Sequence, residues 1–256
     1  SLFGETLNIN ANGSNAKGID IDNDSAIHLS NTGDIYINTI GQDSSYGIYS
    51  QNASLDLNAE NLTIISTSGE ESAIGIYNYP ATGENYVNID TRQAINVSTM
   101  SGEASYGIQV SGVGSDIHSG TDINVNVLGG DGEISAYNTS GINSKLTAEG
   151  NITLSMKSVN GIDGGWTKAG VFANNQDEEY KQAIIEGKNV SISAESTDAT
   201  GIYGLYNAYW EDSNVNDRAG NTVNITANGT GDNGIVELKA SANNSWSRGI
   251  YAEFSE

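Results

Sequence analysis

Short runs in which every second residue is apolar recur along the whole chain, and this alternation is what most constrains the fold. Runs such as LNINA, IYINT and INVNV place apolar side chains on one face and polar side chains on the other, as half-buried strands do. The runs return about every 28 residues, with longer intervals towards the C-terminal end. Their first inward residues are Leu7, Ile35, Leu62, Ile95, Ile123, Ile152, Val190 and Val236. Such a period predicts a repeat architecture.

Each repeat contains two further short strands. The second strand begins near a glycine, as in GIYS from Gly47, GIYN from Gly75 and GIYG from Gly201, and the third strand is shorter, as in SLDLN and TVNIT. Three strands and three turns per repeat predict an all-β fold, a right-handed three-stranded parallel β-helix (solenoid) of about eight coils stacked about 4.8 Å apart. We expect residues 1–256 to form a single β-helix, a fragment of a longer surface protein, with loop insertions at 159–183 and 206–220.

Short polar corners precede most of the first strands, and several contain asparagine. Asn61, Asn151 and Asn189 occupy such corners. Asparagine tolerates the left-handed backbone of a sharp corner, and stacked asparagines can bond to the coils above and below. We therefore predict a structural role for these residues.

Aromatic residues recur on the outward side of the second strands. In GIY the isoleucine points inward, so the tyrosine after it points outward. The alignment predicts an exposed aromatic ladder of Tyr49, Tyr77, Tyr137, Phe172, Tyr203 and Tyr251. Such a ladder can stabilise adjacent strands by about 0.2–1 kcal/mol per pair, or it can offer a flat binding surface. The sequence leaves both roles open.

All three tryptophans lie in the longer repeats near the C-terminal end. Long loops on a solenoid flank often carry function. The candidate ligand patch consists of Trp166, Tyr209, Trp210, Glu211, Asp212, Trp246 and Arg248. The alternative is that these loops only cover the flank, with each tryptophan half-buried against it.

The charge balance excludes several partners. Ten Lys and Arg stand against 32 Asp and Glu, a formal charge of −22, which disfavours binding to nucleic acid or anionic lipid. There is no cysteine and no apolar run long enough for a membrane-spanning helix. We expect no direct insertion of this fragment into a membrane.

Catalytic and metal motifs are weak. The Gly-His-Gly, Arg-Ile-Lys and Asp-Asp signatures of pectin-type hydrolases are absent, and His28 and His118 would lie about 14 Å apart on outward-facing third-strand positions. We expect no enzyme and no catalytic residue. DIDNDS from Asp20 and GGDGEIS from Gly129 are poor matches to calcium loops. We therefore predict no cofactor and no defined metal site, and at most weak calcium binding.

The coil repeat, the GIY second strands, the Gly and Asn corners and the lack of cysteine together resemble the passenger region of Gram-negative autotransporter adhesins, which use type V secretion. The resemblance spans all 256 residues. It implies passage through the outer membrane and display at the cell surface. It also implies non-enzymatic attachment to a host protein or glycan, or self-association as in biofilms. A polysaccharide lyase or hydrolase on the same fold, or a passive spacer, are the alternatives.

Overall fold

A computed structural model describes residues 5–23, 25–31, 33–79, 86–111, 114–140, 143–159, 167–175, 181–197, 201–209, 221–229, 234–243 and 245–253. Within these ranges every regular element is a β-strand. The strands fall into three columns, and neighbours within a column pair in parallel. The all-β prediction is therefore confirmed.

The first column contains strands one repeat apart. Its members are the N-terminal parts of β1 (Thr6–Asp22) and β3 (Asp34–Gln51), then β5 (Leu62–Ser68), β8 (Ile95–Met100), β11 (Ile123–Gly129), β14 (Asn151–Ser158), β17 (Asn189–Ser196) and β20 (Val236–Ala242).

The other two columns follow the same period. The second contains the C-terminal parts of β1 and β3, then β6 (Ser72–Tyr79), β9 (Ala104–Val110), β12 (Ile134–Thr139), β15 (Lys168–Asn175), β18 (Ile202–Tyr209) and β21 (Ser247–Glu253). The third contains β2 (Ala26–Ser30), β4 (Ser54–Ala59), β7 (Val87–Thr91), β10 (Asp116–Ser119), β13 (Ser144–Ala148), β16 (Lys181–Gly187) and β19 (Asn221–Ala227).

The columns form two sheets around one core. The first two columns join through β1 and β3 into a 14-stranded sheet, and the third column is a separate 7-stranded sheet. Inward Ile, Leu and Val side chains from all three columns pack together, most of them fully buried. The result is a solenoid-like stack of parallel strands.

The register of the first column agrees with the alternation in the sequence. Leu7 pairs with Ile35, and the series continues through the predicted first inward residues to Val236. Ile35, Leu62 and the next four members are fully buried. The predicted register is therefore confirmed. It is strongly specified, because a shift of one residue would turn the whole apolar set to solvent.

Glycine recurs in the second column because each of these positions lies tightly against a first-column side chain and against the backbone of the next strand in its own column. A Cβ on Gly75 would lie 2.2 Å from Cγ1 of Val97 and 2.5 Å from the carbonyl oxygen of Gly107. Gly18, Gly47, Gly107 and Gly170 face an Ile or Val of the first column in the same way. At the corresponding position of β12 the chain has Ala136, and the first-column residue at that level is Leu154, which has no branch at Cβ.

The asparagine corners stabilise the stack through hydrogen bonds, not through a left-handed backbone. Asn189 donates from Nδ2 to Oδ1 of Asn151 at 2.7 Å, and Asn61 donates to Oδ1 of Asp34 at 2.7 Å. The expected left-handed conformation instead occurs at the turn between the second and third columns. Its non-glycine members among the described residues are Asn23, Asn52 and Asn143.

The predicted loop insertions are interrupted by strands. Within 159–183, residues 168–175 form β15 and pair with both β12 and β18. Within 206–220, residues 206–209 belong to β18.

Candidate functional site

The outward aromatic column differs from the predicted ladder in two coils. Pairing gives the order Asp20, Tyr49, Tyr77, Gln109, Asn138, Phe172, Tyr206 and Tyr251. Tyr49, Tyr77, Phe172 and Tyr251 therefore lie in one column, as predicted. Tyr137 and Tyr203 do not. Phe172 is only 6 % exposed, however, so its predicted exposure is wrong.

Tyr137 was predicted to be exposed, and this is wrong. It pairs with Ile108 and Val171 at an inward position and is fully buried. The alignment used the aromatic residue as the outward marker, but Ala136 occupies the glycine position in this coil. Tyr137 therefore takes the inward position, and Asn138 faces outward.

Tyr203 lies three residues before the aromatic column. In the seventh repeat Gly204, not Gly201, lies opposite Gly170 and Gly249, so Tyr206 joins the column. Tyr203 pairs instead with Ala169 and Arg248 in a neighbouring outward position. The tripeptide GIY at 201–203 is thus not equivalent to the other copies, and the prediction for Tyr203 is wrong in register.

The rings of the aromatic column stack along the axis of the coils. Tyr49 stacks on Tyr77 with centroids 5.1 Å apart, and Nζ of Lys17 lies 3.6 Å from the Tyr49 centroid. Tyr206 stacks on Phe172 at 5.2 Å and on Tyr251 at 5.1 Å. Burial raises the pKa of Tyr77 to about 12. Since the ring faces cover one another, this column mainly presents ring edges to solvent, which favours the stabilising role.

A second aromatic group near the C-terminal end includes a cation. Trp246 is 47 % exposed and contacts Tyr203 edge-on, with centroids 4.9 Å apart. The guanidinium carbon of Arg248 lies 5.0 Å from the Trp246 ring and 5.2 Å from the Tyr251 ring. We call Tyr203, Trp246, Arg248 and Tyr251 the Trp246 cluster.

The position of Trp246 is fixed by glycine. A Cβ on Gly201 would lie 2.2 Å from Cε2 and Cζ2 of the indole, so only glycine allows the ring to approach this closely. Gly201 therefore seats the indole against the wall of the stack. The glycine of this GIY copy is therefore required by the packing of Trp246, although its tyrosine does not belong to the aromatic column.

The remaining predicted patch residues are only partly covered by the structure. Trp166, Trp210, Glu211 and Asp212 lie outside the described residues. Tyr209 is the last residue of β18 and pairs with Asn175. The structure therefore brings Trp246 and Arg248 together and leaves the other members of the patch untested.

No family model, curated protein or solved structure matches this chain. Its function is therefore inferred from its own residues.

A partly buried carboxyl group lies between the two stacked parts of the aromatic column. Asn138 donates from Nδ2 to Oε1 of Glu133 at 2.9 Å, and the Tyr106 hydroxyl also bonds to this carboxyl. Burial raises the pKa of Glu133 to about 7, although both hydrogen bonds act to lower it. Sequence reasoning missed Glu133 because its partners become neighbours only once the coils are in register.

Each histidine on the third column bonds to an aspartate of the adjacent strand. His28 Nδ1 lies 2.7 Å from Asp56, and His118 Nδ1 lies 2.8 Å from Asp90. His118 and Asp90 line a shallow groove of about 510 Å³ with Asp116, Lys145, Thr147 and Glu186. Both histidines face outward, as predicted, but their aspartate partners were not foreseen.

Metal and membrane features can be assessed only in the described ranges. There, no group of three or more acidic or histidine side chains is arranged to hold a metal ion. Asp24 of the calcium-like loop lies outside these ranges. The described residues also include no helix of the length and apolar character needed to cross a membrane.

Proposed function

We propose that this chain is a segment of a non-enzymatic bacterial surface adhesin, displayed outside the outer membrane as a rigid rod. In this proposal the three strand columns are the walls of a right-handed three-stranded parallel β-helix of about eight coils. Support comes from the parallel register of eight first-column positions and from the resemblance to autotransporter passenger regions. A rod of this kind holds a binding surface away from the cell.

The Trp246 cluster is the observation that carries the proposal. Trp, Tyr and Arg dominate the energetic centres of protein interfaces, and here all three lie together on an outer surface. Arg248 also places a cation on a chain of charge −22, where it can meet a carboxylate of the partner. Because Arg248 and Tyr203 lie against the indole, the cluster suits a host protein better than a bare sugar ring.

Attachment of coated beads tests this proposal. Beads carrying the purified chain are flowed over cultured epithelial cells, and bound beads are counted. We expect Trp246→Ala and Arg248→Ala each to reduce bound beads at least about tenfold, because a hot-spot truncation costs about 2 kcal/mol or more. Tyr79→Ala is the matched control. Tyr79 is 50 % exposed and lies on β6 of the second strand column, outside the Trp246 cluster.

Two outcomes would contradict the proposal. Unchanged attachment by both cluster variants would favour a passive spacer or a different adhesive surface. New reducing ends or unsaturated products after incubation with polysaccharides would favour a carbohydrate-active enzyme. The observation that favours this second candidate is the Asp90–His118 pair in its groove. If the chain is such an enzyme, Asp90→Asn should abolish product formation.

A further inference from the structure

One wall of this acidic chain carries no charged side chain over five consecutive strands of the first column, apart from Asp34 at the start of β3, whose carboxylate accepts a hydrogen bond from the Tyr36 hydroxyl at 3.2 Å. It is the outer face of the first column on β1, β3, β5, β8 and β11, with three outward positions on each strand. We call it the neutral wall. Its residues are Asn8, Asn10, Asn12, Tyr36, Asn38, Ile40, Thr63, Ile65, Thr67, Asn96, Ser98, Met100, Asn124, Asn126 and Leu128.

Apart from Asp34, charges appear on this face only beyond β11, and there they are paired. Lys157 lies 2.9 Å from Glu195, and Lys239 lies 2.8 Å from Glu237. On a chain with a net charge of −22, an extended face with a single unpaired carboxylate is unexpected. The excess of carboxylates is therefore carried by the other surfaces.

Acidic corners border the neutral wall on both sides. The edge at which the first strands begin carries Asp34, the first residue of β3, and the corner residues Glu60 and Asp122, with Arg92 lying 3.4 Å from Glu60. The turns after the first strands carry Glu70, Glu71, Glu103 and other carboxylates. Because the two rims have the same sign, a polyanion laid on the wall would be repelled from both edges. A second copy docked face to face would bring its own acidic rims against these.

The wall itself has one aliphatic row beside rows of amides and hydroxyls. Three of the five members of this row, Ile40, Met100 and Leu128, are aliphatic, and the other two, Asn12 and Thr67, are polar. Ile65 lies beside this row. Ile40, Ile65 and Met100 are each nearly half exposed, at 46 %, 45 % and 47 %. In the neighbouring rows the amides form an axial array, in which Asn124 donates to Oδ1 of Asn96 at 3.1 Å.

We propose that the neutral wall binds an uncharged linear glycan that lies along the axis of the stack. Sugar units of an extended chain advance by roughly the strand spacing of about 4.8 Å, so successive units can repeat the same contacts. The amides of Asn96, Asn124 and Asn126 donate to and accept from sugar hydroxyls. The aliphatic row contacts the apolar face of the rings, and the rims exclude acidic polymers. This site is separate from the Trp246 cluster and does not depend on it.

Binding of defined oligosaccharides tests the inference. The probes are neutral cello-, malto- and chito-hexaoses, with polygalacturonate and heparin as anionic comparisons, titrated against the full chain by calorimetry. We expect at least one neutral hexaose to bind, with affinity unchanged between about 50 and 500 mM NaCl, because no charge is involved. Ile65→Glu and Asn126→Glu should each weaken this binding at least about tenfold.

Matched variants separate the wall from general effects. Asn224→Glu adds the same charge to an exposed position of the third column and should bind like the unaltered chain. Ile65→Thr removes only aliphatic surface, so it should weaken binding less than Ile65→Glu and retain the fold even if the charged variant does not. Trp246→Ala should leave glycan binding intact while it reduces bead attachment.

Several results would overturn the inference. They are absence of binding to every neutral probe, preference for polygalacturonate or heparin, or an equal loss in Asn224→Glu. A fourth is dimerisation in sedimentation experiments that Ile65→Glu abolishes, with no glycan bound, since a second copy would then be the occupant of the wall.

Discussion

At Glu133, burial and hydrogen bonding act in opposite directions on one carboxyl group. Burial is the larger effect and raises its pKa from 4.5 to about 7. Between these two pH values the folded state holds a proton that the unfolded state has lost. The stability of the folded chain therefore falls as the pH rises through this window, and the penalty is complete above about pH 7.

Replacing the carboxyl with an amide should remove this pH dependence. We expect Glu133→Gln, which imitates the protonated form, to stabilise the chain at pH 8 by no more than about 3 kcal/mol, from 1.36 kcal/mol per pKa unit. At pH 4.5 the difference should largely disappear. Denaturant unfolding at both pH values measures it.

Glu103→Gln is the control for this measurement, because Glu103 is an exposed carboxylate on the neighbouring turn. An equal effect of Glu133→Gln at both pH values would show that the carboxyl has the same pKa in the folded and the unfolded chain, with its hydrogen bonds cancelling the effect of burial.

Between strands, the glycines of the second column depend on the branching of the first-column side chain that each one faces. Glycine lies opposite Val97, Val125 and Ile192, which are branched at Cβ. Alanine occurs at the level of Leu154. The space for a methyl group is therefore determined by a strand about 20 residues away in sequence.

Gly75→Ala should destabilise the chain by about 1–3 kcal/mol, the usual cost of overpacking. The physical reason is the added methyl group, which would overlap Val97 and the Gly107 carbonyl. Gly249→Ala in the same column has no atom within 4 Å of the new Cβ and should change stability little. Thermal unfolding of both variants provides the comparison.

A double-mutant cycle separates the two contacts of Gly75. If the Val97 branch dominates, Val97→Leu should recover part of the stability that Gly75→Ala loses. Strict additivity would instead assign the cost to the carbonyl of the next coil.

For the whole molecule, the excess of carboxylates opposes the compact state. Raising NaCl from about 0.01 M to about 1 M shortens the screening length from about 30 Å to about 3 Å. We expect the midpoint of thermal unfolding to rise by a few degrees, because repulsion among carboxylates exceeds the attraction of the few ion pairs. A fall in the midpoint would mean that pairs such as Lys157–Glu195 matter more.

Calcium provides a second comparison at this scale. A stabilisation by millimolar CaCl₂ beyond that of NaCl at equal ionic strength would indicate a bound ion. The carboxylates of Asp20 and Asp22 are the first candidates, although DIDNDS is a poor match to a calcium loop. An identical response to the two salts would leave screening as the whole explanation.

Much of the fold could be predicted from the sequence, but less of the candidate site. First-column residues such as Ile35 and Ile123 could be placed in register because each strand is short, alternating and bounded by polar corners. The second column could not be aligned throughout, because GIY was treated as a fixed unit. In the fifth and seventh coils the glycine position of the column is occupied by Ala136 and Gly204. Tyr137 directly follows this position and Tyr203 directly precedes it, so neither lies in the aromatic column.

The sequence by itself determined that this chain forms short parallel-stacking strands with a period near 28 residues, since the period-2 burial pattern admits only one core face. The tertiary structure decided which side chains from different coils meet. Glu133 with Tyr106, His118 with Asp90, and the uncharged rows of the neutral wall arise only when strands about 28 residues apart lie side by side. The physical reason is that alternation specifies the direction of each side chain, whereas its neighbours depend on the length of every intervening turn.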